Sequence, residues 1–531
     1  MKNKKIILAI LILLIANLPY VLHIEQDLFD NLIPYQIVNH NEASYGMNAK
    51  DIILFGWHSL AHDRLYIVWA LSVLIVLISF SIFGISLAAL RLPYIGLNII
   101  ANIIFFDLVR RCSNRKIAAV VTLFFALYPS RLLIGKSAMV EAMVLPLIVG
   151  ISWLLMFTHK KPRVYFLLGV LSGLVGIAKV DNLIVFVILL LFASIEDVKE
   201  LRLKEEKYFP RTLKLLLGGL SIFFVWGIFG FVVGFGRFLY YYRYELSATI
   251  SGYWSEYIRN GQIGSLGLIK ENLIRFWDTD PLLILSLWVL AILTIRRIFK
   301  KSDISGDYFL KIILLFLGIF LFKIIFSRAL SMWHLAPTYP LYFLLLGYLF
   351  IFLGKLNLGK IISKFTLLRC AVLCLTCALV LFFTLPLIKK VIQRTQRIIF
   401  SPTYKILSTV ESLKRTLNPS YRLIFAEGHF AYSALLLPFK CYDIEPNIET
   451  RDFFALESDP RKIWSTIERD KDIAYIMFRK ENRLVSDFVK SIPGAQLIIT
   501  DLFSFEPGYV YQIRWPQQKG KTSSNLRGKW E

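Results

Sequence analysis

The chain has 531 residues, of which 56% are hydrophobic and only 18% are charged, and its mean hydropathy is +0.59. Soluble domains carry about a quarter charged residues, so this composition excludes an ordinary cytosolic enzyme, a disordered chain and a secreted disulfide scaffold. The formal net charge of +24 raises nucleic acid as a partner. The basic residues alternate with long apolar runs, however, which is typical of a polytopic membrane protein, and no nucleic acid is predicted.

Membrane spans are the first predicted elements, and each requires about 20 apolar residues. Twelve apolar runs qualify as candidates: 6–22, 65–87, 92–109, 117–129, 141–157, 164–179, 182–195, 213–235, 282–295, 308–326, 338–353 and 367–388. The first run follows Met1-Lys-Asn-Lys-Lys, and no small-residue cleavage site comes after it. This pattern predicts an uncleaved first span with a cytoplasmic N-terminus.

The basic loops between these runs decide which of them cross the membrane. Five such loops are rich in Lys and Arg: 110–116, 160–163, 199–214, 296–301 and 355–369. If all twelve runs cross, all five loops fall outside; if 65–87 stays at the outer surface, all five fall inside. Because positive loops stay in the cytoplasm, we predict a mainly α, multi-pass protein of the plasma (inner) membrane with about eleven transmembrane helices, N-terminus in and C-terminus out.

This arrangement predicts three regions along the chain. Residues 1–388 form a transmembrane domain whose first outer loop is 23–91, residues 389–515 form a small extracytoplasmic α/β domain, and 516–531 form a disordered basic tail. Strands of the α/β domain are predicted where short apolar segments occur, at 422–426, 473–479, 496–500 and 509–515.

The first outer loop holds the candidate general bases. It is rich in acids and histidines, among them Asp27 and His58. Residues 41–49 are predicted to begin a helix that Asn41 caps, with Glu42 in its first turn. A carboxylate fixed at the membrane surface could act as a general base, although the plainer interpretation of each residue is a solvated loop.

The second outer loop holds candidate phosphate ligands. Arg131 and Lys136 break the positive-inside pattern, and Glu141 opens an otherwise apolar span. Ionisable groups at this depth are expensive and usually functional, although snorkelling cations would explain them equally well. Arg328 and His334 lie at a later outer turn, so cations converge on one side, where they would suit an anionic phosphate.

No phosphate-binding glycine loop, dinucleotide fingerprint, zinc spacing or nucleophile elbow is present in the sequence. The energy for a transfer would therefore come with the substrate, as it does with a lipid-phosphate sugar. No cofactor is predicted, although the acids of the first outer loop could bind Mg²⁺ or Mn²⁺.

Five segments carry a recognisable pattern in chain order: Asn41–Ala49, Leu65-Tyr-Ile, Phe83–Pro93, Tyr128–Glu141 and His334–Gly347. They resemble segments of bacterial membrane glycosyltransferases of the protein O-mannosyltransferase and aminoarabinose-transferase superfamily, which has the GT-C fold. Asn41–Ala49 is similar to its Asp-Glu-Ala-Ser-x-Gly-Tyr-Asn-Ala stretch, and Phe83–Pro93 to its Phe-Gly…Arg-Leu-Pro. Leu65-Tyr-Ile, Tyr128–Glu141 and His334–Gly347 match further segments in the same order. The similarity is good over roughly residues 20–200 and weak beyond, and it implies that the stretch matching 65–87 lies in the first outer loop.

Two departures from the family pattern affect the predicted site. Asn41 stands where the family has the Asp taken as the catalytic base, so the base would be Glu42 or Asp27, or the protein would be impaired. Asp63-Arg64 replaces a Pro or Lys-Pro, and Arg64 could substitute there as a phosphate ligand.

The resemblance implies an inverting glycosyltransferase, hexosyl or pentosyl, that uses a polyprenyl-phosphate sugar. The acceptor would be an envelope glycan, lipid or protein, and the protein-mannosyltransferase branch generally needs no metal. The predicted catalytic residues are Glu42, Asn41 and Asp27, and the predicted substrate-binding residues are Arg131, Lys136, Glu141, Arg64, His58, Arg328 and His334. A transporter or lipid flippase, and an impaired scaffold on the same fold, are the alternatives.

Overall fold

The computed structural model describes only part of the chain. In the N-terminal two thirds it describes 2–22, 37–56, 70–157, 162–202, 210–233, 239, 269–270, 272–274, 305–326, 335–345 and 347. In the C-terminal region it describes 422–425, 441–443, 473–479, 483–492, 494–499 and 508–513. The predicted spans at 282–295 and 367–388 lie outside these residues.

The N-terminal part is helical. Its helices are α1 (Lys2–Val21), α2 (Ile37–Phe55), α3 (Ala70–Phe83), α4 (Leu87–Cys112), α5 (Arg115–Leu127), α6 (Pro129–Lys136), α7 (Val140–Phe157), α8 (Pro162–Ala178), α9 (Leu183–Arg202), α10 (Pro210–Val233) and α11 (Ser305–Phe326). Short 3₁₀ turns occur at Val180–Asn182 and Ala336–Thr338. Among the described residues, α4, α7 and α10 are long and apolar enough to cross a membrane.

The predicted non-crossing run at 65–87 contains α3. With 14 residues this helix is about 21 Å long, whereas a bilayer core is about 30 Å thick. After α3 the chain turns at Gly84, whose φ is +76°, and Ser86 Oγ caps α4 by accepting from Ala89 N at 3.1 Å. Ser79 Oγ donates to Ala89 O at 2.5 Å, so the end of α3 lies beside the start of α4.

The start of α2 corrects one prediction. The helix begins at Ile37 rather than after Asn41, so Asn41 lies in the second turn and does not cap it, and the first turn contains no acid. No helix breaker lies between Ile37 and Asn41. Because adding residues to an existing helix is easier than starting one, the helix extends upstream through these positions.

Glycines bring α8 and α10 into close contact. A Cβ placed on Gly169 would collide with the backbone carbonyl of Leu215, and one on Gly218 with the carbonyl of Phe166. Small residues at such positions let helix backbones approach each other, which is a common basis of helix packing in membranes.

The described C-terminal segments form a five-stranded mixed sheet. Its strands are β1 (Arg422–Phe425), β2 (Cys441–Asp443), β3 (Ile473–Arg479), β4 (Ala495–Ile499) and β5 (Gly508–Ile513), in the order β2-β1-β3-β5-β4. β1 is parallel to β2 and β3, whereas β5 is antiparallel to β3 and β4. A helix, α12 (Arg483–Ser491), lies between β3 and β4 in the chain and buries Phe488 and Val489. The four predicted strands coincide with β1, β3, β4 and β5 to within two residues.

The chain divides into two compact units. The first combines 1–24, 67–72 and 91–395, and the second combines 25–66, 73–90 and 396–531. Segments of the predicted first outer loop therefore cluster with the C-terminal region.

Candidate functional site

Of the predicted phosphate ligands that the structure describes, Arg131 is the most deeply buried. It lies in α6, a two-turn helix that begins with Pro129 at its first position, where the missing N–H is no disadvantage. Its side chain is 0% exposed, so it does not snorkel. The guanidinium carbon lies 4.9 Å from the ring centre of Tyr20 and 4.3 Å from that of Phe125. Both distances are within the range of a cation–π contact.

The Arg131 guanidinium is only partly satisfied. Nη2 donates to Asn102 Oδ1 at 2.7 Å and lies 3.5 Å from the Asn98 carbonyl. Nε and Nη1 are buried, and neither meets an acceptor among the described residues. Burial lowers the pKa of Arg131 to about 9, which still leaves it charged near neutral pH. Burying a cation whose N–H groups lack acceptors costs free energy, and a bound anion would offset this cost by accepting their hydrogen bonds.

Lys136, at the C-terminal end of α6, has a partner. Its Nζ donates to the Leu22 carbonyl at 2.8 Å, just beyond the last residue of α1. Carbonyls at the C-terminal end of a helix lack intrahelical donors and carry partial negative charge. This contact therefore ties α6 to the end of α1.

Glu141 and three further charged residues form two ion pairs. Glu141 Oε1 accepts from Lys179 Nζ at 2.7 Å, which joins the start of α7 to the end of α8. Asp181, in the 3₁₀ turn that follows α8, pairs with Lys323 of α11. Asp181 and Lys323 are both less than a tenth exposed. These pairs fix the turns at this end of the helices, which we call the Arg131 end: the end where α5 and α8 finish and α7 begins.

Glu42 lies in the other unit, in α2. Its side chain is 0% exposed, which is unusual for a carboxylate. Two turns further along the same helix, Lys50 Nζ lies 3.7 Å from Asp51 Oδ1. Nδ2 of Asn48 is also buried, and it meets no acceptor among the residues that the structure describes. The α2 helix thus carries several buried polar groups in the segment that resembles the glycosyltransferase family.

The remaining predicted site residues lie outside the described part of the structure. They are Asp27, His58, Arg64, Arg328 and His334, together with the side chain of Asn41. Their roles stay predictions.

A second charged cluster lies at the opposite end of α8, α9 and α10. Arg211 binds Glu200 through two nitrogens, one of them Nη2 at 2.6 Å from Oε1, and it also pairs with Asp197 and Glu196. Glu196 further accepts from Tyr165 and from Lys311. We call this group the Arg211 cluster, and in it every described cation has a carboxylate.

Two residues of the Arg131 end were not predicted. Lys323 is the single charged residue near the end of the apolar run 308–326, and an ionisable residue in such a run is itself a signal of function. Asn102 gives no comparable signal, because an Asn within an apolar helix is found in many packing roles.

Comparisons with known proteins identify the fold. Two crystal structures of ArnT from Cupriavidus metallidurans are similar to this chain. The one bound to undecaprenyl phosphate is 11% identical with a TM-score of 0.57, and the similarity covers 96% of this chain and 99% of that chain. The one in the apo state is 12% identical with a TM-score of 0.56, covering 97% and 100%. This protein is therefore a polytopic membrane protein of the GT-C fold, as the resemblance of its segments predicted.

The sequence itself matches one family over part of its length. Residues 71–229 match the family described as dolichyl-phosphate-mannose-protein mannosyltransferase. This range contains Arg131, Lys136, Glu141, Lys179 and Asp181. No curated protein matches the chain significantly.

Proposed function

We propose that this protein is a membrane glycosyltransferase that moves a sugar from a polyprenyl-phosphate donor to an envelope glycan, lipid or protein on the outer face of the plasma membrane. The observation that carries the proposal is the state of Arg131: a buried guanidinium with two nitrogens that meet no acceptor among the described residues. It lies in the segment that matches the mannosyltransferase family. The chain also shares its fold with an ArnT that was crystallised with undecaprenyl phosphate.

The transfer uses a base and a cation. Glu42 takes the proton from the acceptor hydroxyl as its oxygen attacks the anomeric carbon of the donor sugar. The bond from that carbon to the phosphate oxygen breaks, and the lipid phosphate leaves with the negative charge. Arg131 stabilises that charge, since donors fixed in advance around a leaving phosphate favour the transition state. A single displacement inverts the anomeric carbon.

The other predicted ligands have supporting roles in this proposal. Lys136 and the Glu141–Lys179 pair hold the turns around Arg131, while Arg64, Arg328, His58 and His334 complete the contacts to donor and acceptor. Asn41 cannot take a proton, so it would only orient the acceptor, and Asp27 is the second candidate base.

The test is transfer of labelled sugar from a polyprenyl-phosphate donor in membranes that contain the protein or the Glu42→Gln variant. Glu42→Gln keeps the size and hydrogen-bonding capacity of the side chain but cannot act as the base, so we expect transfer to fall by at least about a hundredfold, within the range for general-base catalysis. Membrane insertion should be unchanged.

Asp51→Asn is the matched control, because it makes the same carboxylate-to-amide change in the same helix at a buried residue. It should retain transfer. Full activity of Glu42→Gln, or equal losses in both variants, would exclude Glu42 as the base. Absence of any transfer or donor hydrolysis with the unaltered protein would favour a transporter or a scaffold.

A further inference from the structure

The Arg131 guanidinium is held by a chain of two asparagines. Asn102 of α4 accepts from Arg131 Nη2 at 2.7 Å, and its own Nδ2 donates to Asn17 Oδ1 at 2.7 Å. Asn17 of α1 in turn donates through Nδ2 to the Leu13 carbonyl at 2.7 Å. The chain runs from a backbone carbonyl of α1, through α4, to the cation of α6.

The direction of every hydrogen bond in this chain is fixed. A guanidinium can only donate, so Asn102 must present Oδ1 to it and Nδ2 to Asn17. Asn17 must therefore present Oδ1 to Asn102, which leaves its Nδ2 for the carbonyl of Leu13. Neither amide can flip without losing two hydrogen bonds, so Asn102 holds Nη2 of Arg131 in place. Nε and Nη1 of the same guanidinium meet no acceptor among the described residues.

Packing also fixes the ring of Tyr20, whose centre lies 4.9 Å from the Arg131 guanidinium carbon. Tyr20 Oη donates to the Ala126 carbonyl at 2.8 Å, which fixes its ring. A Cβ on Gly135 would lie 2.7 Å from Tyr20 and 3.0 Å from Asn98 Oδ1, so α6 packs directly against both side chains. The cation is thus oriented before any ligand arrives, and preorganisation of this kind increases affinity by lowering the cost of ordering.

We infer that Asn102, itself fixed by Asn17, is a positioning residue: among the described residues it gives Arg131 a neutral amide instead of a carboxylate as side-chain partner, and so keeps the guanidinium oriented to bind the phosphate of a lipid carrier. This inference rests on the proposed function. A neutral amide is required at this position, because a carboxylate would pair with Arg131 and compete with the phosphate for it.

The test compares the binding of two lipids, undecaprenyl phosphate and the uncharged undecaprenol, to the full-length protein in detergent. Asn102→Asp should weaken undecaprenyl phosphate binding at least tenfold and leave undecaprenol binding unchanged, because the new carboxylate neutralises Arg131. Asn102→Ala, which releases the guanidinium without adding charge, should weaken phosphate binding severalfold. A purely structural role would instead change the binding of both lipids in step with thermal stability.

Asn114→Asp is the matched control. Asn114 caps α5 by accepting from Lys116 N and Ile117 N, both at 3.0 Å, and Asp caps equally well. This variant should bind both lipids normally.

The outcomes separate the two proposals. If Arg131→Met loses phosphate binding while both Asn102 variants bind normally, the positioning role is wrong and the phosphate site stands. If the unaltered protein and Arg131→Met bind undecaprenyl phosphate equally well, or neither binds it, the phosphate site itself is wrong. Parallel losses for both lipids in Asn102→Asp would also overturn the positioning role.

Discussion

Arg131 and Arg211 are both largely buried arginines of one helical unit, yet their surroundings are opposite. Arg211 is bound by three carboxylates, and its side chain is 9% exposed. Arg131 is fully buried with two aromatic ring centres 4.9 Å and 4.3 Å from its guanidinium carbon, and its described hydrogen-bonding partners are a neutral side-chain amide and a backbone carbonyl.

The difference supports the proposal that Arg211 is a structural cation and Arg131 a binding cation. Asp197, which pairs with Arg211, also accepts from Thr212 N at 2.8 Å and from Thr212 Oγ1 at 2.7 Å. It therefore caps the start of α10 from α9, and the cluster joins helix ends without spare donors. Arg131 retains donors that no described residue fills. Burial alone is common to both arginines, so the proposed role of Arg131 rests on the lack of a carboxylate partner among the described residues.

The largest expected effect comes from Arg131→Met. The variant removes the open donors, so sugar transfer should fall about a hundredfold to a thousandfold, the range for losing one preorganised donor at a developing charge. The midpoint of thermal unfolding should change little, because no carboxylate is left unpaired. Steady-state transfer and thermal unfolding of the same preparations check this. A variant that unfolds early and is fully active per folded molecule would show that Arg131 is structural.

Arg211→Met should give the reverse result. It leaves Asp197 buried beside two glutamates without their shared cation, which costs about 3 kcal/mol of folding free energy, at the low end for a broken buried ion pair because the glutamates are partly exposed. The unfolding midpoint in detergent and the yield of folded protein should both fall. Activity per folded molecule should match that of the unaltered protein, and a selective loss of activity would contradict the comparison.

The Asp181–Lys323 pair should show the smallest effect when both partners are replaced. Asp181→Asn alone leaves Lys323 buried, where it is repelled by Lys179 and still attracted by Glu141. The change should cost about 2 kcal/mol, less than for a fully isolated buried charge. Asp181→Asn combined with Lys323→Met removes both charges and should return the stability to within about 1 kcal/mol of the original value.

Unfolding of the two single variants and the double variant measures the coupling between Asp181 and Lys323. If the double variant is as unstable as Asp181→Asn alone, the two side chains do more than neutralise each other's charge. It would then belong with Arg131 rather than with the Arg211 cluster.

The sequence predicted those described helices that coincide with apolar runs, whereas α2 and α6 correspond to no such run. The short helix at Ala70–Phe83 lies within the run that charge parity excluded from crossing. The predicted start of α2 was wrong, since Asn can cap a helix but is also tolerated inside one, as Asn41 is. Arg131 was predicted as a phosphate ligand because it breaks the positive-inside pattern. Asn102 was not, because its contact with Arg131 depends on how α4 is rotated against α6.

The sequence by itself determined that this is a polytopic membrane protein, where its apolar runs lie, and that ionisable residues gather at the ends of those runs, because hydropathy and charge are properties of each segment alone. Tertiary structure decided which of those charges are neutralised. Lys136, Lys179 and Arg131 are all basic residues near the ends of apolar runs in the sequence. Among the described residues, packing gives Lys136 a backbone carbonyl, Lys179 a carboxylate and Arg131 a side-chain amide and a backbone carbonyl. The reason is physical: the energy of a buried charge depends on the partners that other helices bring to it, and the sequence does not specify which helices meet.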